Sequence, residues 1–139
     1  MRRFAAAVVC AATAGLLASC MPVASPPRVD PATWELADPS AVTAEATTLE
    51  VLVTRLECAS GVTGDLEEPV VVYGRDEIVI RVDAAYNGDG AADCRGNNAV
   101  PLSITLTEPV GDRVLIDGAC RDTGAADTTL CDSPVRWSP

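Results

Sequence analysis

Carboxylates carry most of the reactive chemistry that this chain can offer. Its 139 residues include 20 Asp and Glu, ten Arg and six Cys, but neither His nor Lys. Because no imidazole is present to accept a proton, Ser-His-Asp and Cys-His sites are excluded. Schiff-base chemistry, Ser-x-x-Lys sites and phosphate-binding P-loops require Lys and are excluded as well.

Acids alone could support a hydrolase in which one carboxyl group protonates the leaving atom and the other activates water. The candidate acids are Glu67, Glu68, Asp76 and Glu77, which stand beside predicted turns. Acids in such positions are ordinarily solvated surface groups. We therefore predict a protein without enzymatic activity, and the carboxylate-only envelope hydrolase is the alternative.

An oxygen-rich segment is a candidate calcium loop. It comprises Asn87-Gly88-Asp89-Gly90 together with Asp93 and Asn97. The spacing of an EF-hand fails here, because Ala91 and Ala92 stand where a ligand and a Gly belong. We interpret the segment as a Gly-rich loop and expect neither a metal nor another cofactor.

The N-terminus has the pattern of an exported precursor. Residues 1–4 form a positively charged start, and residues 5–16 form an apolar run of signal-peptide length that is too short to span a bilayer. Leu17-Ala18-Ser19-Cys20 resembles the lipobox of bacterial lipoprotein precursors. We predict a signal peptide over residues 1–19, lipid modification of Cys20, and a location on the extracytoplasmic face of the cell membrane. An ordinary signal peptide that is cleaved near Ala18 is the alternative.

Four cysteines remain after the export segment, an even number in an oxidising compartment. Two disulfides are expected, and they should act as structural staples because the aromatic content of 4% predicts a thin aliphatic core. The sequence contains no Cys-x-x-Cys motif, which would indicate redox chemistry. Three pairings are open, and proximity in sequence favours Cys120 with Cys131, which leaves Cys58 with Cys94.

Two regions follow Cys20. Residues 20–46 contain five Pro among Ala, Ser and Thr, which predicts a disordered tether, with Trp34 expected to dock on the domain. Residues 47–139 carry short β-branched runs, which predict a small all-β domain, an antiparallel β-sandwich of five to seven strands. An immunoglobulin-like arrangement is one form of it, and a small open barrel is the alternative. The predicted strands are Thr48–Glu57, Pro69–Tyr73, Glu77–Tyr86, Leu102–Thr107 and Arg113–Ile116.

Over about residues 49–118 the chain resembles short uncharacterised secreted proteins and lipoproteins of actinobacteria. The motifs that carry this resemblance are Glu57-Cys58-Ala59-Ser60-Gly61, Tyr73-Gly74 followed by Asp76, Cys94 followed by Gly96-Asn97, Glu108-Pro109 followed by Gly111-Asp112-Arg113, and Asp117-Gly118. The resemblance supports a bridge between Cys58 and Cys94 and implies no activity. The chain departs from this group at Arg95 and Asn98, where prolines are expected.

Charge and loop composition decide the expected role. Removing Arg2 and Arg3 with the signal leaves eight Arg against 20 acids, a formal net charge of −12 that repels nucleic acid. We expect a monomer that is attached to the membrane through Cys20 and acts as a non-catalytic interaction module for an envelope partner. The predicted contact surface combines residues 59–63 with a second loop, whose candidate residues are Asp89, Asp93, Arg95, Asn97 and Asn98.

Overall fold

The computed structural model describes residues 28–86 and 91–139, which form one mixed sheet of eight strands. The predicted signal peptide, Cys20, the first part of the tether and Asp89 lie outside the described residues. The all-β prediction is confirmed. The strands are β1 (Arg28–Leu36), β2 (Thr48–Arg55), β3 (Asp65–Leu66), β4 (Val70–Tyr73), β5 (Glu77–Tyr86), β6 (Val100–Thr105), β7 (Val114–Asp117) and β8 (Val135–Trp137).

All five strands predicted from β-branched runs are present, as β2, β4, β5, β6 and β7. Their alternating side chains face the core and the solvent in turn, as along β2, where every second residue from Leu49 to Arg55 is buried. Among residues 28–86 and 91–139, helical structure is limited to short turns after β1 and β7. These are the single turn α1 (Ala119–Asp122) and the 3₁₀ turns Pro39–Ala41, Gly124–Asp127 and Thr129–Cys131.

The predicted tether extends too far, because β1 lies inside it and the folded part begins near residue 28 instead of 47. Pro31 does not break this strand. Its carbonyl accepts a hydrogen bond from the N–H of Leu56, on the β2 side. Since the N–H and C=O of a strand residue point to the same edge, the N–H that proline lacks would also face β2. Pairing between β1 and β5 therefore loses no donor.

Strand β5 organises the sheet, because different halves of it pair with different strands. Its N-terminal half pairs with β4 and with β7, and its C-terminal half pairs with β3 and with β1. The β5–β7 pair is parallel, so the sheet is mixed and not purely antiparallel as predicted. The physical reason is the route of the chain: after β5 it crosses to pair β6 with β2, then returns to β5 in the same direction.

Apart from Trp34, the buried core is aliphatic, as the low aromatic content predicted. Alternate residues of β1, β2 and β5 meet β6 and β7 in a single buried cluster. Trp34 is fully buried there, and its indole Nε1–H donates to the carbonyl of Ile80 at 2.9 Å. The predicted docking of Trp34 on the domain is therefore confirmed, and it occurs as part of a central strand.

The segment that follows β7 covers the outer face of the sheet. Helical turn α1 packs against β1, and Thr33 is buried although it points away from the core. A Cβ atom at Gly118 would lie only 2.9 Å from the Cβ of Arg81, so the chain packs directly against β5 at this glycine. Within residues 28–86 and 91–139, no helix is long and apolar enough to cross a membrane.

Candidate functional site

Both disulfides have the predicted pairing. Cys58, just after β2, is bonded to Cys94, which lies in the segment before β6, with 4.4 Å between their Cα atoms. Cys120 in α1 is bonded to Cys131, with a Cα separation of 5.3 Å. The first bond therefore ties together two loops that three strands separate in sequence, and the second closes one irregular segment.

The first disulfide holds together the two loops that the sequence predicted as a contact surface. The N–H of Ser60 donates to the carbonyl of Asp93 at 3.0 Å, and the N–H of Asp93 donates to Ser60 Oγ at 3.0 Å. The N–H of Asn98 donates to the carbonyl of Gly61 at 3.1 Å. We call residues 56–63 and 91–99 the joined loops.

Asn97 and Asn98 hold the joined loops in place. The Asn97 Nδ2 group donates to the carbonyls of Arg55 and Glu57, each at 2.9 Å. Asn98 Oδ1 accepts from the N–H of Thr63 at 3.0 Å, and the Thr63 hydroxyl donates to the carbonyl of Asn98. Both side chains therefore form hydrogen bonds within the protein, although Asn98 is exposed, and Asp93 and Arg95 are the exposed charged residues of the predicted surface that the structure describes.

Asp93 and Arg95 form an exposed ion pair at the tip of the joined loops. Arg95 Nε and Nη2 donate to the two carboxylate oxygens of Asp93 at 2.8 and 2.6 Å. These side-chain hydrogen bonds lower the pKa of Asp93 and raise the pKa of Arg95. Gly61 has a φ of +89°, and a Cβ there would lie 3.1 Å from Arg95 Cδ, so glycine lets the loop backbone pack on the arginine stem.

A cleft of about 390 Å³ lies between the joined loops and the segment closed by Cys120–Cys131. Strands β1 and β5 contribute its remaining wall. No sequence pattern pointed to it, because its residues come from separate parts of the chain that only the sheet brings together. The lining residues are Pro31, Leu56, Glu57, Arg81, Thr123, Gly124, Ala125 and Thr128.

Arg81 is the cationic group of the cleft. Its Nε–H donates to both carboxylate oxygens of Asp83, at 3.0 and 3.1 Å. Among the described residues, no acceptor forms a hydrogen bond with its terminal amino groups, Nη1 and Nη2. The guanidinium is therefore anchored at one end and has four N–H bonds available at the other.

The opposite wall of the cleft offers hydrogen-bond acceptors. The hydroxyl of Thr123 donates to the carbonyl of Ala119 at 2.6 Å, and that of Thr128 donates to the carbonyl of Ala125 at 2.7 Å. With their protons used internally, these hydroxyls present lone pairs; Thr123 Oγ1 already accepts from the N–H of Ala125 at 3.0 Å. Glu57 adds an exposed carboxylate at the rim.

Asp117 is the one described carboxyl group whose pKa is raised, and it lies outside the cleft. Burial is the largest cause of the raised pKa, and it outweighs hydrogen bonds that act in the opposite direction. Arg136 Nη2 donates to Asp117 at 2.7 Å, and the N–H groups of Trp34 and Ala119 donate at 3.2 and 3.0 Å. Since Asp117 is fully buried, it cannot reach a substrate and joins elements of the fold instead.

The structure separates the four acids that were considered for a hydrolase. Glu67 and Glu68 precede β4, whereas Asp76 and Glu77 follow it, so the length of β4 alone places about 13 Å between the pairs. Arg121 donates to Glu77 at 2.8 and 2.6 Å, and these hydrogen bonds lower the pKa of Glu77. Within the described part of the chain, no group of three or more His, Cys, Asp or Glu could hold a metal ion.

Comparisons of the chain with protein-family models, with curated proteins and with solved structures give no match.

Proposed function

We propose that this protein is a lipid-anchored component of the cell envelope that binds a ligand or a partner without catalysis. The observation that carries the proposal is the position of the cleft between the joined loops, which one disulfide ties to each other, and a segment that the other disulfide closes. Loops fixed in this way lose little conformational entropy when they bind, so they favour recognition. The binding surface comprises the cleft and the exposed Asp93–Arg95 pair.

The position of Arg28 at one end of the sheet supports a membrane-proximal site. Arg28 pairs with Tyr86 at the end of the sheet from which the joined loops extend. Eight peptide steps separate Cys20 from Arg28, and at about 3.6 Å each they reach at most about 29 Å. A lipid on Cys20 therefore keeps the cleft end of the domain near the bilayer. A tether that ended at residue 46 would allow a larger distance.

The chemistry of the cleft supports binding over catalysis. General acid–base catalysis requires a group that exchanges protons near neutral pH while it touches the substrate. The ionisable residues that line the cleft are Arg81, which bonds to Asp83, and the exposed Glu57. Asp117, whose pKa is raised, is sealed in the interior.

Site-specific photo-crosslinking in cells tests the proposal. A photoreactive phenylalanine analogue is placed at Glu57 or at Arg95 at the cleft end, and at Arg75 in the β4–β5 turn as a control. Intact-protein mass spectrometry then detects adducts of any size, including small molecules. We expect the same adduct from Glu57 and Arg95 and none from Arg75. Equal labelling at all three positions, or no adduct at the cleft end, contradicts the proposal.

A further inference from the structure

The available N–H groups of Arg81 define the chemistry that the cleft can recognise. Because Asp83 occupies Nε, side-on pairing through Nε and one Nη group is blocked. The two terminal amino groups can still form parallel hydrogen bonds with the two oxygens of a planar carboxylate. The pair with Asp83 thus selects an end-on geometry.

Arg81 is also held in place before any ligand arrives. The N, Cα and Cβ atoms of Arg81 lie between 2.9 and 3.2 Å from the position that a Cβ on Gly118 would occupy, so the backbone after β7 packs against the start of this side chain. Asp83 restrains the guanidinium end. A side chain whose guanidinium is restrained in this way loses less rotamer entropy on binding than a free arginine does.

The rest of the cleft suits the residue that carries such a carboxylate. Pro31, Leu56 and Ala125 offer apolar surface for a small side chain. Thr128 Oγ1 and the Glu57 carboxylate accept hydrogen bonds, so they match the N–H groups of a peptide backbone. Donors at one side and acceptors at the other fit a chain end better than they fit a free anion.

We propose that the cleft binds the carboxyl terminus of a short peptide, with its carboxylate end-on to Arg81. This inference rests on the proposed binding function and adds the class of ligand to it. Asp83 offsets part of the positive charge, and the acidic surface repels anions over longer distances. Recognition therefore depends on the two parallel hydrogen bonds more than on net attraction.

The test is a titration of the mature chain carrying Cys20→Ala, followed by ¹H–¹⁵N NMR. The probes are N-acetyl-alanyl-alanine, its C-terminal amide, and inorganic phosphate. We expect the free acid to shift the resonances of Arg81 Nε–H, Leu56 and Ala125, and to bind at least tenfold tighter than the amide. Arg81→Gln should weaken acid binding at least tenfold, Arg81→Lys should restore only part of it, and the matched control Arg75→Gln should leave it unchanged.

Three outcomes overturn the inference. Equal binding of acid and amide removes the carboxylate from recognition, and tighter binding of phosphate than of the acid indicates a different anion site. If neither peptide shifts any resonance, the cleft is not a peptide site, while crosslinking at Glu57 and Arg95 still decides the proposed function separately. Should Arg81→Gln fail to fold, the acid–amide comparison on the unmutated residue and the Arg81→Lys variant keep the test decisive.

Discussion

Asp117 accepts a hydrogen bond from the backbone N–H of Trp34 at 3.2 Å, across 83 positions of sequence. This contact lies at the point along β5 where its pairing partner changes from β7 to β1. The carbonyl of Ile80 at the same point accepts from the N–H of Gly118 at 2.7 Å and from the Trp34 indole. A single buried carboxylate thus joins the first strand, the seventh strand and, through Arg136, the last.

Asp117→Ala should destabilise the domain by about 3 kcal/mol, because two backbone N–H groups and the Arg136 guanidinium lose their buried acceptor. Urea unfolding followed by tryptophan fluorescence measures the change. The exposed Asp112 provides the matched control, and Asp112→Ala should alter the free energy of unfolding by less than about 0.5 kcal/mol. A loss below about 1 kcal/mol for Asp117→Ala would show that the joint is dispensable.

Two carboxyl groups should titrate in opposite directions from their ordinary values. The pKa of Asp117 is raised above 3.8 by burial, so the part of the stability that depends on its protonation is present below pH 3.8 and is lost as the pH rises through its folded-state pKa. The pKa of Glu77 is lowered from 4.5 by Arg121, so its contribution is present above pH 4.5 and is lost as the pH falls through its folded-state pKa. Carboxyl ¹³C NMR titration checks both, and a pKa below 3.8 for Asp117 or above 4.5 for Glu77 would contradict the structure.

Gly118→Ala should cost about 2 kcal/mol, since its Cβ would collide with the backbone and stem of Arg81 and force the β7–α1 connection outward. Gly124→Ala is the same substitution in open space, with no atom within 4 Å of the added Cβ, and should be nearly neutral. Thermal unfolding of the two variants compares them directly. Equal melting temperatures would mean that Gly118 does not pack closely against Arg81 of β5.

Removal of residues 28–46 should abolish folding, although the sequence assigned them to the tether. The fragment 47–139 lacks β1, which lies between β2 and β5 and contributes the fully buried Trp34. We expect a disordered ¹H–¹⁵N spectrum from this fragment and a dispersed one from the fragment 28–139. A dispersed spectrum from the fragment 47–139 would place the start of the folded domain at residue 47.

Membrane attachment should depend on Cys20. Cys20→Ala should release the protein into the medium, because the acyl chains that anchor a lipoprotein can no longer be attached. Inhibition of the lipoprotein signal peptidase with globomycin should accumulate the larger precursor. Fractionation and immunoblotting measure both effects. Retention of Cys20→Ala in the membrane fraction would contradict the lipobox interpretation.

How far the sequence predicts the fold depends on where the information lies. The bounds of β5, Glu77–Tyr86, were predicted to the residue because alternating β-branched side chains encode one-sided burial locally. Strand β1 was missed although Ala32, Trp34 and Leu36 also alternate, because Pro31 and its neighbouring prolines favoured a linker. What makes β1 a strand is its place between β2 and β5, which no local pattern reveals.

The site was predicted in part for a similar reason. Spacing and resemblance indicated the Cys58–Cys94 bond, and the loops that this bond closes do lie together. Arg81 was missed because its neighbours are brought to it by the pairing of β5 and by the packing of Gly118, which is distant in sequence. Asn97 and Asn98 have the polar side chains expected of a contact surface, but their amides form hydrogen bonds with nearby backbone groups.

The joint between Trp34 and Asp117 also sets the order in which the protein can fold. Ribosomes add about 5 to 20 residues per second, so the 83 positions between these residues correspond to about 4 to 17 seconds of synthesis. Strand β5, a partner of β1, is complete before Asp117 is added, but until then the N–H of Trp34 lacks its acceptor and the core around the indole lacks β7. Such non-local pairing is typical of slow folding. We therefore expect the chain to stay unfolded until its last third is present, which is the state that the proposed export through a narrow channel would require.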